Sequence, residues 1–254
     1  NISHLYFFFY NLSSSNYIFR LIRKYANMMK ITYYGHSCFG VELGNKHILF
    51  DPFISPNEKA SSIDINDIPA DYILLSHGHQ DHVVDAEAIL KRTGAQLISN
   101  YEIVSWFGSK GIENAHPVNH GGTVRMDFGT VKYVNAVHSS VLPDGSYGGN
   151  PGGFIIESAE GNFYYSGDTA LTYDMKLIGE FHKLDFAFLC IGDNFTMGIE
   201  DGVRAAGFIE CDKIIGMHYD TFGYIVIDHD AAKKAFQDAG KELILMSIGE
   251  DLNL

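Results

Sequence analysis

Ser76-His77-Gly78-His79-Gln80-Asp81-His82 directly follows a short apolar run at residues 72–75, the pattern of a buried strand emptying into a loop. With 12 His among 254 residues, an H-x-H-x-D-H match is expected by chance about 0.002 times per chain of this composition. A loop of merely solvated histidines is therefore a poor account of it. Gly78 permits a short turn, so the alternate residues His77 and His79 can converge on one metal ion while Asp81 and His82 turn toward a second. Imidazole nitrogen and carboxylate oxygen suit Zn first, with Mn or Fe as alternatives, and the lack of thiolate argues against a closed structural zinc site.

Three other apolar segments end in the same way. Residues 131–137 lead into His138, residues 163–166 into Gly167-Asp168, and residues 214–217 into His218. Each of these taken singly is an ordinary loop residue, but strand ends are where loops gather into sites. If the ends share one rim, His77, His79 and His138 surround one metal, Asp81, His82 and His218 surround another, and Asp168 bridges them.

Around this stretch the chain reads as many short strands with helices inserted late. Strands are expected at residues 30–34, 39–43, 46–51, 72–75, 130–137, 153–157, 163–165, 186–190, 213–217 and 243–246. Helices are expected at 86–92, 103–108, 173–181, 199–210 and 231–239. Hairpins followed by alternating helices and strands predict a layered α/β sandwich, with sheets inside and helices outside.

Composition narrows the function. Lys and Arg number 18 against 31 Asp and Glu, giving −13, a field that disfavours extended nucleic acid but leaves room for a local cationic site. Residues 1–28 carry Arg20, Arg23, Lys24 and no acid, so the remainder holds 15 basic against 31 acidic side chains, or −16. The apolar run 5–10 is far short of the ~20 residues a bilayer requires, and basic residues after it do not make a secretory signal. Residues 1–28 read as an extension outside a domain spanning 29–254, with a weak amphipathic surface helix near 17–25 as the alternative. Cys38, Cys190 and Cys211 form no CxxC pair, which points to a reducing, cytoplasmic protein.

KITYYGHSCF at 30–39, DPF at 51–53, LLSHGHQDH at 74–82, YYSGDT at 164–169, IGDNFTMG at 191–198 and MHYDTF at 217–222 resemble the metallo-β-lactamase superfamily. The resemblance covers nearly the whole chain from Met29 and is closest to uncharacterised metal-dependent hydrolases related to ascorbate-phosphate lactonases. It implies a four-layer αββα sandwich with metals at one sheet edge. It also implies ligands at His77, His79, Asp81, His82, His138, Asp168 and His218, the same residues the strand ends select.

The expected chemistry is hydrolysis with two divalent ions, which lower the pKa of a shared water and polarise a carbonyl or phosphoryl oxygen. Asp168 would bridge the ions and Asp81 would accept a hydrogen bond from the nucleophile. His36 is either a group orienting a ligand or substrate, and so counted with the catalytic residues, or a turn histidine. Asn194 and Thr196 either contact substrate or, for Thr196, cap a helix. Tyr147 lies in a Gly- and Pro-rich stretch after His138 that is either a mobile substrate loop or a plain long turn. His4, His47, His116, His120, His182 and His229 read as surface or structural residues.

The expected substrate is a small-molecule ester, lactone or phosphoester, because the fold and metal motif leave the substrate open. A phosphodiesterase or nuclease of the same fold and a metal-binding protein without turnover are the alternatives. A diiron redox protein would need a carboxylate in place of His79 and an attached flavin domain. No membrane partner is expected, and homo-oligomerisation stays open.

Overall fold

The computed structural model describes residues 29–254; the 1–28 extension and the helix weighed at 17–25 lie outside the described residues. The first strands are β1 (Lys30–Gly35), β2 (Cys38–Leu43), β3 (Lys46–Phe50), β4 (Tyr72–Leu74), β5 (Gln96–Asn100), β6 (Ala115–Val118) and β7 (Thr123–Met126). They are followed by β8 (Gly129–Asn135), β9 (Gly152–Glu157), β10 (Asn162–Tyr165), β11 (Phe186–Cys190), β12 (Lys213–Met217), β13 (Glu242–Ile244) and β14 (Asp251–Asn253). Two seven-stranded sheets result, ordered β14-β1-β2-β3-β4-β5-β6 and β13-β12-β11-β10-β9-β8-β7. In each, an antiparallel half built from hairpins passes into a parallel half, β3 to β6 in one sheet and β10 to β13 in the other.

The alternation of side chains explains the layers. Ile48 and Phe50 of β3, Leu74 of β4 and Ile98 of β5 join the core between the sheets, while Leu49, Ile73 and Leu97 belong to a second apolar cluster on the other face. Between the sheets, Phe50 stacks on Tyr165 and Phe39 meets Phe188 at a tilt, both at 4.6 Å between ring centroids. The outer cluster receives Ile89 and Leu90 from α2 (Ala86–Thr93) and Ile103 and Phe107 from α3 (Tyr101–Ser109), after the single turn α1 (Gln80–Val83). The second sheet is covered by α4 (Met175–Phe181), α5 (Ile199–Phe208) and α6 (His229–Asp238). The expected four-layer αββα sandwich is the observed fold. Emptying a position such as Phe50 would cost about 3–5 kcal/mol.

Four strands escape the sequence pattern: β5, β6, β7 and β14. Three of them, β6, β7 and β14, are sheet edges, where fewer positions are buried and the alternation fades. Pro117 inside β6 also hides it, since proline donates no ladder hydrogen bond and is tolerated only on such an edge. Helix limits differ by a few residues because caps decide them. Asp228 accepts from the amides of Asp230 and Ala231, starting α6 before the apolar pattern does. Thr196 caps no helix: the residue before α5 is Gly198.

Candidate metal centre

Most residues of the predicted cluster sit just past a strand, on the edge where both sheets end. His36 follows β1, His77 follows β4, His138 follows β8, Asp168 follows β10 and His218 follows β12, while Asp81 and His82 ride on α1. Reaching that edge bends the backbone. His36 and His218 have φ of 57° and Asp51 has 41°, left-handed conformations that cost side-chain-bearing residues roughly 1–3 kcal/mol each. Gly167 has φ 57°, and a Cβ there would lie 2.7 Å from the Ser76 Cβ and 2.8 Å from the Gly152 carbonyl. The Ser166-Gly167-Asp168 turn therefore passes between two strand ends that only glycine can clear.

Two groups of donors meet here. His77, His79 and His138 bring nitrogens within 4.8 Å of one another, and so do His36, Asp81, His82 and His218 with their own ligand atoms. Asp168 touches both groups: its Oδ2 lies 2.9 Å from His218 Nε2, 3.3 Å from His82 Nε2 and 3.6 Å from His138 Nε2. Its other oxygen, Oδ1, and the Nε2 of His82 are buried with no hydrogen-bond partner among the described residues. Left so, each would cost about 1–3 kcal/mol. A divalent cation among nitrogen and oxygen donors of this kind would satisfy both, so the residues fit a metal site.

Asp51, which directly follows β3, belongs to the same site without facing its centre. Its Oδ2 accepts from His82 Nδ1 at 2.8 Å and from the Ser76 hydroxyl at 2.5 Å, with the Tyr165 hydroxyl at 2.8 Å; its Oδ1 accepts from the Ser76 amide at 2.8 Å. Geometrically it also groups with His77 and His82. A carboxylate so fully engaged is better described as orienting His82, holding a proton on Nδ1 and turning Nε2 toward the centre.

The electrostatics differ between the groups. Burial, reinforced by neighbouring imidazoles, holds His77, His79 and His138 below the ordinary histidine value, so all are neutral at pH 7. Burial and the adjacent His218 push His36 down to about 4. Burial also opposes charge on His82, but the carboxylates of Asp168, Asp51 and Asp81 outweigh it and raise this imidazole well above the ordinary value. Burial would raise the Asp168 carboxyl, yet His218 and His82 hold it well below the usual range. Asp81 is likewise lowered, with the effect of burial overcome by His82 and His36.

His36 lies inside the second group, its Nε2 3.2 Å from Asp81 Oδ2 and its Nδ1 2.9 Å from the Thr221 hydroxyl. It is not simply a turn histidine. Asn194 is exposed in the loop after β11, and the Thr196 hydroxyl contacts only the Met197 carbonyl. Tyr147 is exposed, its hydroxyl donating to Asn150 Oδ1 within a small hairpin-like loop bridged by Val141 and Tyr147. Nearer the metal donors, that loop places the Ser139 hydroxyl 3.2 Å from His79 Nε2. The remaining described histidines have other partners or face solvent: His47 lies near Glu42, His116 is exposed, His120 stacks on Tyr133, His182 pairs with Glu157 and His229 with Asp220.

A buried His and Asp cluster on the edge of an αββα sandwich defines a class, and comparison with known proteins agrees. The chain belongs to the beta-lactamase superfamily, whose domain model matches residues 30–218. Within it the chain is a metal-dependent hydrolase of the UPF0173 family. It is 59% identical over 226 residues to the UPF0173 metal-dependent hydrolase of Flavobacterium johnsoniae, covering 89% of this chain and 100% of that protein. It is 60% identical over 227 residues to the one from Christiangramia forsetii, with the same coverage. Among solved structures, a metallo hydrolase from the hyperthermophilic archaeon Ignicoccus hospitalis matches with a TM-score of 0.80 and 32% identity, over 89% of this chain and 98% of that one.

Proposed function

We propose that this hydrolase works with two divalent ions, Zn first with Mn or Fe as alternatives, on a small-molecule ester, lactone or phosphoester. The observation that carries the proposal is Asp168, a buried carboxylate within reach of His138 on one side and of His82 and His218 on the other. His77, His79 and His138 would hold one ion, Asp81, His82 and His218 the other, and Asp168 both. Two ions so placed lower the pKa of a water and polarise a substrate oxygen, so no serine nucleophile is required.

The chain's own residues manage the protons. His36 is neutral and has a single N–H. Facing Asp81, that proton sits on Nε2, which leaves Nδ1 to accept from the Thr221 hydroxyl. Asp81, the less buried of the two site carboxylates, is thereby held with an oxygen toward the centre, where it can accept a proton from the attacking group. Asp51 and Ser76 keep the imidazoles of His82 and His77 in one tautomer. No helix among the described residues is long and apolar enough to cross a membrane. The three cysteines are buried free thiols, which supports a cytoplasmic setting.

The test is elemental analysis after reconstitution with Zn, Mn or Fe, together with a panel of esters, lactones and phosphoesters. About two ions per chain and hydrolysis of one class are expected. A single ion at saturation would overturn the dinuclear proposal, and two ions with no turnover would leave a metal-binding protein.

A further inference from the structure

The loops that carry the metal donors have an unusual composition. No lysine or arginine occurs in residues 35–39, 51–57, 76–82, 137–152, 166–172, 191–198 or 217–228. Most of the exposed large apolar side chains among the described residues lie in the same loops. They are Val137, Val141, Tyr147, Phe195, Phe222, Tyr224 and Val226. Scattered apolar side chains need no explanation, but a concentration around a site does. Phe222 packs against the centre, its ring 5.4 Å from His36 and 6.1 Å from Phe53, and Phe195 pairs with Tyr224 at 6.1 Å. Between the loop after β11 and residues 224–228 is a cavity of about 430 Å³, the size of a small-molecule pocket. Asp193 and Asp228 line it. These acids, with no lysine or arginine in the loops to balance them, disfavour negative charge on the part of a substrate that lies away from the metal ions.

From this we propose that the substrate is neutral: an acyl ester or lactone bearing an aliphatic or aromatic group, which rests against Phe195, Phe222 and Tyr224 while the bond to be broken faces the metal donors. The proposal rests on the hydrolase reading above and narrows it by setting phosphoesters aside. Ester hydrolysis here consumes water and releases a carboxylic acid and an alcohol, with no other reactant.

The experiment has a kinetic and a binding arm. Hydrolysis of p-nitrophenyl acetate, butyrate and octanoate by the metal-loaded protein should show kcat/KM at least about tenfold higher for octanoate than for acetate, a fraction of what burying the added methylenes could give. Phe195→Ser combined with Tyr224→Ser should cut that ratio by about threefold or more. Binding of hexanamide and acetamide to the metal-free protein, followed by NMR, should favour hexanamide, and the double variant should erase the preference. Ester turnover with no dependence on chain length, or faster turnover of p-nitrophenyl phosphate than of octanoate, overturns the proposal and leaves the hydrolase standing. A graded amide preference without turnover of any ester keeps the apolar subsite and removes the hydrolase reading. If the double variant changes the oligomeric state in sedimentation but leaves the chain-length ratio intact, the apolar face is a contact between copies and the proposal fails.

Discussion

His77, His79 and His138 meet with no carboxylate in their own group, whereas His36, His82 and His218 gather around Asp81, with Asp168 2.9 Å from His218. The same side-chain type thus occupies opposite fields a few ångströms apart. In the first group, burial keeps the imidazoles neutral and their lone pairs available over a wide pH range. In the second, three carboxylates make His82 hold a proton tightly, and whatever cation binds there must displace it. The difference teaches that a cluster of histidines is not one site with one proton affinity: the carboxylates around His82 make that imidazole compete with protons, while its neighbours His36 and His77 stay neutral.

The comparison breaks most sharply at Asp168, the residue both halves share. Asp168→Ala should deplete both ions and lower hydrolysis by more than the ~100-fold typical of removing an outer partner of a metal ligand. Circular dichroism should show the fold retained, while apparent melting temperature falls because metal no longer stabilises the native state. Full activity with two ions would make Asp168 an ordinary turn residue.

Asp81→Ala reaches only one half. Elemental analysis should find the ion of His82 and His218 lost and the ion of the three imidazoles kept, with turnover abolished. Equal loss of both ions would erase the distinction between the groups.

Asp51→Asn tests the halves more gently. The amide offers a single acceptor oxygen where the carboxylate receives His82, Ser76 and Tyr165. A loss of about 10–100-fold in activity or in affinity for the second ion is expected, with a stability loss of roughly 1–3 kcal/mol from the stranded donors. An unchanged second-ion affinity would show that His82 needs no orienting carboxylate.

The smallest effect concerns protons alone. His36 at about 4 in the folded protein titrates near 6.5 when unfolded, so below that pH the unfolded chain binds the extra proton and stability is lost as pH falls. Between pH 7 and 5.5 this amounts to about 1 kcal/mol. The raised His82 contributes with the opposite sign, so the measurement is a difference between chains. In chelator, the melting temperature of wild type should fall by about 2–4 °C more than that of His36→Asn over this interval. Parallel curves would mean that His36 is not held neutral.

Legibility followed burial and spacing. His77, His79, Asp81 and His82 stood out because four donors share one loop, and His138, Asp168 and His218 because each ends an apolar run. Asp51 also ends an apolar run but is not among the expected ligands, since nothing local says that its carboxylate faces His82, 31 positions away. Nothing marked the hydroxyls of Thr221 and Ser139 as partners of imidazoles: a hydroxyl in a polar loop looks the same whether it meets an imidazole or water. The edge strands β6, β7 and β14 were lost for want of a buried face, and β5 because only Leu97 and Ile98 mark it.

Local pattern was enough to determine the layered α/β class, the donor types and hence a nitrogen- and oxygen-rich metal site, because periodicity and ligand chemistry are properties of neighbouring residues. Tertiary structure decided which donors share a field, that His36 joins Asp81 and that Asp168 lies between the groups. Those depend on distances between strand ends far apart in the chain, set by how two sheets stack and by backbone turns such as those at Gly167 and His218. Burial and the nearness of charges exist only once the sheets have packed, and they alone make one imidazole hold its proton while another gives it up.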